Sequence, residues 1–256
     1  PADMWGASGG GSISRTARHL WAGRSAPSRV PALPSPRPVG GIDAPPAAPA
    51  VGEARGKDPK GSAPALSFTV KTEDGNEATY ELDPDDAWSG SREAKVAVVM
   101  FGDLECGYCK RTSAELRRLE ATYGDRVLFV FKHFPMNPDC NAGVKNRKHR
   151  EACVAAKASV CAKEQGVFWA FHDLAYKNQH QLGADYLRTY AIDAGADGSL
   201  YDACFASDAP LDVIRHDADV GSKLDIHGTP RIFINGKLYR SGSSAEVMAR
   251  AIEVAL

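Results

Sequence analysis

Val96-Ala-Val-Val-Met-Phe-Gly-Asp-Leu-Glu-Cys106-Gly-Tyr-Cys109-Lys-Arg111 is the stretch around which the chain is organised. The apolar run Val96 to Phe101 reads as a buried strand that breaks at Gly102. A helical pattern follows, with Leu116 and Leu119 on one face. Both cysteines therefore sit at a strand-to-helix junction, with Cys106 at an exposed helix start. Unpaired N–H groups and the positive end of the helix dipole stabilise a thiolate there. Cys109, one turn further in, is positioned to attack a mixed disulfide formed at Cys106. The competing reading, two ligands of a structural zinc, lacks the second C-x-x-C needed to complete four ligands. The pair reads as a redox site.

The formal net charge is −1, so nothing global recruits nucleic acid or an anionic membrane. No apolar stretch reaches the roughly 18–20 residues that span a bilayer. The chain opens on Pro1 rather than Met, which is compatible with a removed leader or with a missing upstream membrane anchor. Six cysteines form an even set, and four of them (Cys140, Cys153, Cys161 and Cys204) lie outside the redox pair. That count points to an oxidising compartment, periplasmic or otherwise extracytoplasmic.

Residues 1–65 are expected to form a disordered Pro/Ala/Gly-rich tail or tether, too poor in large apolar residues to build a core. Residues 66–256 are expected to form the folded domain. It opens on a β-hairpin, Ser67–Val70 and Ala78–Leu82, around the turn signal Asp74-Gly75. The central strand and cysteine helix follow, the helix stopping near Tyr123-Gly124, and Val127–Phe131 supplies the next strand. From about 137 to 219 the pattern is helical: Ala152–Gln165, a piece around Phe168–Ala175, Tyr186–Ala194, Ser199–Ala206 and Leu211–Leu224. Then β structure resumes with Arg231–Ile234, the Asn235-Gly236 turn and Lys237–Arg240, before a closing helix over Glu246–Val254. The result is an α/β domain interrupted by a helical insertion.

From about Ala94 to its end the chain resembles the thioredoxin superfamily, and within it the DsbA-like thiol–disulfide oxidoreductases. The residues that carry this are Cys106-Gly-Tyr-Cys109, Lys132-His-Phe-Pro135, Phe168-Trp169 with His172-Asp173, and Gly228-Thr-Pro230. The resemblance implies a thioredoxin-like fold and a cis Pro230. It also implies that Thr229 and Pro230 face the cysteines and offer backbone to an unfolded substrate, with Gly107 and Tyr108 in the same binding surface. Two departures matter. DsbA-type oxidants carry a His in the dipeptide, where this chain has Gly107-Tyr108, and Met100 replaces the family's buried acid, six residues before the nucleophile. The Gly-Tyr dipeptide, Asp103 and Thr229 look more like DsbC-type isomerases, which need a dimerisation domain that the tail does not resemble. The insertion is similar to that of DsbA-like domains fused to vitamin K epoxide reductase homologues.

Other residues carry two readings. Asp103 and Glu105 can relay protons at the thiol. The plainer alternative, slightly preferred, has Asp103 capping the helix and Glu105 facing water. His133 reads first as a satisfied structural histidine, Lys145–Arg150 as a solvated basic run, and Trp169 and Phe171 as packing for the insertion. Cys153 and Cys161 are eight residues apart on one expected helix, about 12 Å of rise. Disulfide-bonded Cα atoms lie within roughly 7 Å, so these two cannot pair. Of the two remaining connectivities, Cys140–Cys153 with Cys161–Cys204 is favoured.

The function expected is exchange of disulfides with reduced or unfolded secreted proteins, as a moderate oxidant less oxidising than DsbA. A membrane redox partner, quinone-linked and DsbB-like or vitamin K epoxide reductase-like, fits this role, and no metal or organic cofactor is required. The alternatives are an isomerase or reductase of the same fold, or a non-catalytic module holding copper(I) between the two sulfurs.

Overall fold

The computed structural model describes residues 66–71, 76–83 and 85–256. The tail expected over 1–65 and the Asp74-Gly75 turn lie outside the described residues. Two strands, β1 (Ser67–Lys71) and β2 (Glu77–Glu81), form an antiparallel pair. The main sheet has the order β3-β5-β4-β6-β7. Its strands are β3 (Ala87–Gly90), β4 (Val96–Gly102), β5 (Val127–His133), β6 (Arg231–Ile234) and β7 (Lys237–Leu238). Only β4 and β5 run parallel, joined by α1 (Gly107–Tyr123) and a short 3-10 turn at Gly124–Arg126. Five helices stand between β5 and β6: α2 (Ala152–Glu164), α3 (Phe168–Lys177), α4 (Ala184–Asp193), α5 (Gly198–Ala206) and α6 (Ala209–Lys223). The closing helix is α7 (Ala245–Ala255).

Strand β4 is buried over its whole length because both faces of the sheet are covered. Side chains alternate across the pleat. Val98 and Met100 meet Leu116, Leu119, Phe131 and Ile252 on one face, whereas Ala97, Val99 and Phe101 meet Tyr80, Leu128 and Phe233 on the other. There Tyr80, Phe101 and Phe233 form an aromatic triangle with centroids 5.8–6.2 Å apart, so the hairpin β1–β2 lids this face. Helix α6 seats against it at Gly221, where a Cβ would stand 2.6 Å from the Phe134 ring. Strand β3, absent from the sequence reading, pairs with β5; its four residues are too few for a periodic signal. Asn235 and Gly236 both take positive φ, as a two-residue hairpin turn requires.

The insertion is tied by two bridges, Cys140–Cys153 and Cys161–Cys204, with Cα atoms 5.9 and 5.7 Å apart. The second closes a sequence separation of 43 residues and joins α2 to α5. Cys161→Ser is therefore expected to destabilise the protein by about 2–4 kcal/mol. Urea unfolding reads the loss, and Cys204 becomes open to alkylation without reductant. An unchanged denaturation midpoint contradicts it.

Candidate active site

Cys106 is the N-cap of α1: its φ, ψ of −75°, 116° are extended, and its sulfur accepts the Cys109 N–H at 3.4 Å. The chain enters this cap from β4 through a loop tied back on itself, with the Cys106 N–H donated to the Asp103 carbonyl at 3.1 Å. From the far end of the chain, the loop before β6 brings Thr229-Pro230, a cis peptide, over the sulfur. The Cys106 thiol lies 3.5 Å from the Thr229 carbonyl oxygen. This loop covers Cys106, leaving it 5% exposed where the sequence led us to expect an open helix start; Cys109 is 0% exposed. Both are free thiols.

Their electrostatics are opposite. Cys106 is lowered from 9.0 to about 5, first by the hydrogen bond from the Cys109 thiol and against burial, with the Cys109 and Tyr108 N–H groups and Thr229 adding to the effect. Cys109 is pushed well above 9.0 by burial first, and then by the neighbouring Cys106. The helix start thus holds one thiolate and one thiol: donated hydrogen bonds lower Cys106 against its burial, and burial raises Cys109.

Around the pair, Gly107 leaves open space where a Cβ would stand, and Tyr108 is 69% exposed with the Arg111 guanidinium 4.4 Å from its ring centroid. Asp103 does not cap α1, the role slightly preferred from sequence, because Cys106 fills that position. The Asp103 carboxylate instead accepts the N–H groups of Glu105 at 2.8 Å and Met136 at 2.7 Å, and its Oδ2 lies 2.7 Å from His149 Nδ1. Glu105 does not face water either: it accepts the Glu151 N–H at 2.6 Å, just ahead of α2. His133 turns to α2, with Nε2 3.0 Å from Ser159 Oγ. Trp169 packs against β3, donating to the Trp88 carbonyl at 2.8 Å.

Two residues at the site have no part in the sequence reading. Tyr176, buried on α3, donates to the Asp103 carbonyl at 3.2 Å, and its hydroxyl is held well above 10.0 by burial first and then by the charges of Cys109 and Asp103. The signal available was an aromatic residue with a polar tip on the buried face of an amphipathic helix. Gln179, beyond α3, donates to the Leu104 carbonyl at 2.8 Å. Of the basic run, Lys145, Lys148 and Arg150 are exposed and Arg147 pairs with Asp139, whereas His149 turns inward to Asp103. Met100 fills the position of the absent acid and, with Ser113, Phe131 and His172, lines a small cavity beneath α1.

Residues 82–254 match the family model described as Thioredoxin. The chain is 32% identical over 175 residues to the Na(+)/H(+) antiporter NhaA 1 of Mycolicibacterium gilvum, a match that covers 67% of this chain. It spans only 27% of that relative's length. Among solved structures, it is similar to a thioredoxin-like oxidoreductase from Silicibacter pomeroyi, with TM-score 0.58 and 23% identity, covering 68% of this chain and 93% of that one. It is also similar to oxidised BdbD from Bacillus subtilis, with TM-score 0.57 and 20% identity, covering 75% and 98% of the two chains. At these identities the solved structures bear on the fold.

Proposed function

Since this chain belongs to the thioredoxin family, we propose that it is a protein thiol–disulfide oxidoreductase working through Cys106 and Cys109. The observation that carries this reading is the asymmetry of the two sulfurs: one thiolate at a helix start under a cis-proline loop, and one buried thiol a turn away. In the oxidising direction, a substrate thiolate attacks the Cys106 sulfur of the disulfide form. Cys109 leaves and takes up a proton. A second substrate thiolate then attacks the substrate sulfur of the mixed disulfide and releases the Cys106 thiolate. Two electrons pass from substrate to the cysteine pair, and one substrate disulfide is made. Run backwards, the same steps reduce a disulfide, with Cys109 as the resolving thiol.

The substrates we propose are reduced or unfolded secreted proteins. Exposed Tyr108 and the Thr229 backbone beside Cys106 form the surface they meet. Two structural disulfides favour an extracytoplasmic setting, where such bonds persist. A membrane redox partner re-oxidises the pair in this scheme. Among the described residues no helix is long and apolar enough to cross a membrane, and sodium–proton exchange is what the relatives' name says of them.

We assign the protein the role of a moderate oxidant that also shuffles disulfides. Cys106 at about 5 falls between the thiols of DsbA, at about 3.5, and thioredoxin, at about 7. The disulfide becomes more oxidising as that thiol becomes more acidic. Equilibration with glutathione is expected to give a potential below the roughly −120 mV of DsbA, nearer the range from about −180 to about −270 mV. Gly107→Pro with Tyr108→His should raise it, since position 107 has room for a ring and stands at the first helical residue. A wild-type potential at or above that of DsbA rules this role out.

A further inference from the structure

We propose that His149 is the positioning residue of the Cys106 thiolate: held by the buried Asp103 carboxylate, its imidazolium cancels the one fully buried negative charge beside the sulfur. Reduction of the cysteine pair is thereby coupled to proton uptake at His149. This rests on the oxidoreductase reading above and adds to it a group from the run Lys145–Arg150, remote in sequence from the C-x-x-C.

The Asp103 side chain is completely buried. A buried carboxylate requires either a proton or a cation beside it. Among the described residues, the ion-pair partner recorded for Asp103 is His149, at 2.7 Å. Asp103 is also the hinge of the site: its carbonyl receives the Cys106 N–H and the Tyr176 hydroxyl, and its carboxylate orders the Glu105 and Met136 amides. The groups that face His149 are therefore Asp103 and Glu105 from the loop after β4, Cys106 from the start of α1, and the Met136 backbone from the loop after β5. Glu151, ahead of α2, lends Glu105 its amide, and the flanking Lys148 and Arg150 are solvated. With His149 neutral, the two carboxylates and the thiolate crowd three negative charges into one loop. With His149 protonated, Asp103 is matched and the thiolate meets less repulsion.

The surroundings favour the charged imidazole. His149 is raised above 6.5, first by its hydrogen bond to Asp103 and against partial burial, then by the charges of Asp103, Cys106 and Glu105. Its side chain keeps 24% exposure, so it exchanges protons with water. Reducing the disulfide consumes two electrons from a dithiol and one proton, which ends on Cys109, and leaves the negative charge on Cys106. That new charge strengthens proton binding at His149. By linkage, a protonated His149 makes the disulfide easier to reduce by the same factor.

The test is the titration of His149 by NMR in the oxidised and the reduced wild-type protein. Its proton affinity is expected to rise on reduction by about tenfold, one pKa unit. In His149→Gln at pH 6, the exchange constant with glutathione should move about tenfold toward the disulfide, about 30 mV, and Cys106 alkylation should slow. His149→Lys should restore both while removing the pH dependence, an outcome that loss of structure does not produce. Identical His149 titrations in the two redox states, or an unshifted potential in His149→Gln, overturn the proposal. Failure of the wild type to equilibrate with glutathione at all counts instead against the oxidoreductase reading.

Discussion

Cys106→Ser is expected to abolish disulfide exchange, and Cys109→Ser to stop it one step later, as a stable mixed disulfide with substrate. A serine hydroxyl is not ionised near neutral pH, and Cys109 is buried with its thiol held well above 9.0, so nothing replaces the lost nucleophile. Cys109→Ser has no internal disulfide for a substrate thiolate to attack. In the reducing direction the Cys106 thiolate still attacks a substrate disulfide, and no Cys109 thiol is left to resolve the adduct. The trapped species is a covalent adduct that reductant releases, visible by mass spectrometry. Alkylation of the reduced wild type checks the same assignment. At pH 6 a thiol at about 5 is roughly 90% thiolate and one at about 8.5 roughly 0.3%, a ~300-fold advantage, while a Brønsted coefficient of about 0.4–0.5 takes back some 30–50-fold. Cys106 should thus react about tenfold faster than an ordinary thiol, and Cys109 hardly at all. Faster labelling of Cys109 contradicts the assignment. The sign of the pH effect on stability follows as well. A thiol lowered on folding stabilises the reduced protein fully above its ordinary 9.0, and that contribution is lost as pH falls through about 5. The disulfide form has no such term, so acid should cost the reduced form more of its stability.

The second large effect is expected from Lys132→Met. Lys132 is fully buried, and its ammonium lies 2.7 Å from Asp83, 2.7 Å from Asp86 and 3.0 Å from Asp217. The three carboxylates converge within 4.8 Å of one another, so the ammonium is the cation that makes their proximity tolerable. Asp217 also accepts the His133 N–H at 2.8 Å, and Asp86 accepts that of Asp83 at 2.8 Å. One cluster therefore fastens β5, α6 and the approach to β3. Removing one partner of a buried charge network costs about 3–5 kcal/mol, because the remaining charges stay buried and unpaired. Asp86 is already raised to about 7, by burial first and then by Asp217, against the pull of Lys132. A carboxyl raised on folding contributes stability that is complete below its unfolded value of 3.8 and is lost as pH rises through about 7. Without Lys132, whose charge holds it down, the Asp86 carboxyl rises further. The loss measured by urea unfolding should then be largest at neutral and alkaline pH, shrinking toward pH 5. A loss below about 1 kcal/mol at pH 7 would place the cluster among weak surface pairs.

What the sequence by itself determined was whatever local chemistry and periodicity encode. The apolar run of β4, its break at Gly102 and the helix pattern after Cys109 were enough to set the two cysteines at a strand-to-helix junction. Helix periodicity located the five helices between β5 and β6 within a few residues. Helix rise alone kept Cys153 from Cys161, leaving two connectivities, of which the structure holds Cys140–Cys153 with Cys161–Cys204. Tertiary structure decided what depends on groups distant in the chain. Nothing near Lys145–Arg150 distinguishes His149 from its solvated neighbours; only the fold delivers it to Asp103, 46 residues away. The same holds for Lys132, whose three partners come from 46 to 85 residues off, and for Glu105, turned from water by an amide ahead of α2. Strand β3 is four residues long and is a strand because β5 offers it an edge. Periodicity reports which face of an element is apolar. Which buried charge meets which is settled only when desolvation forces each to find its partner.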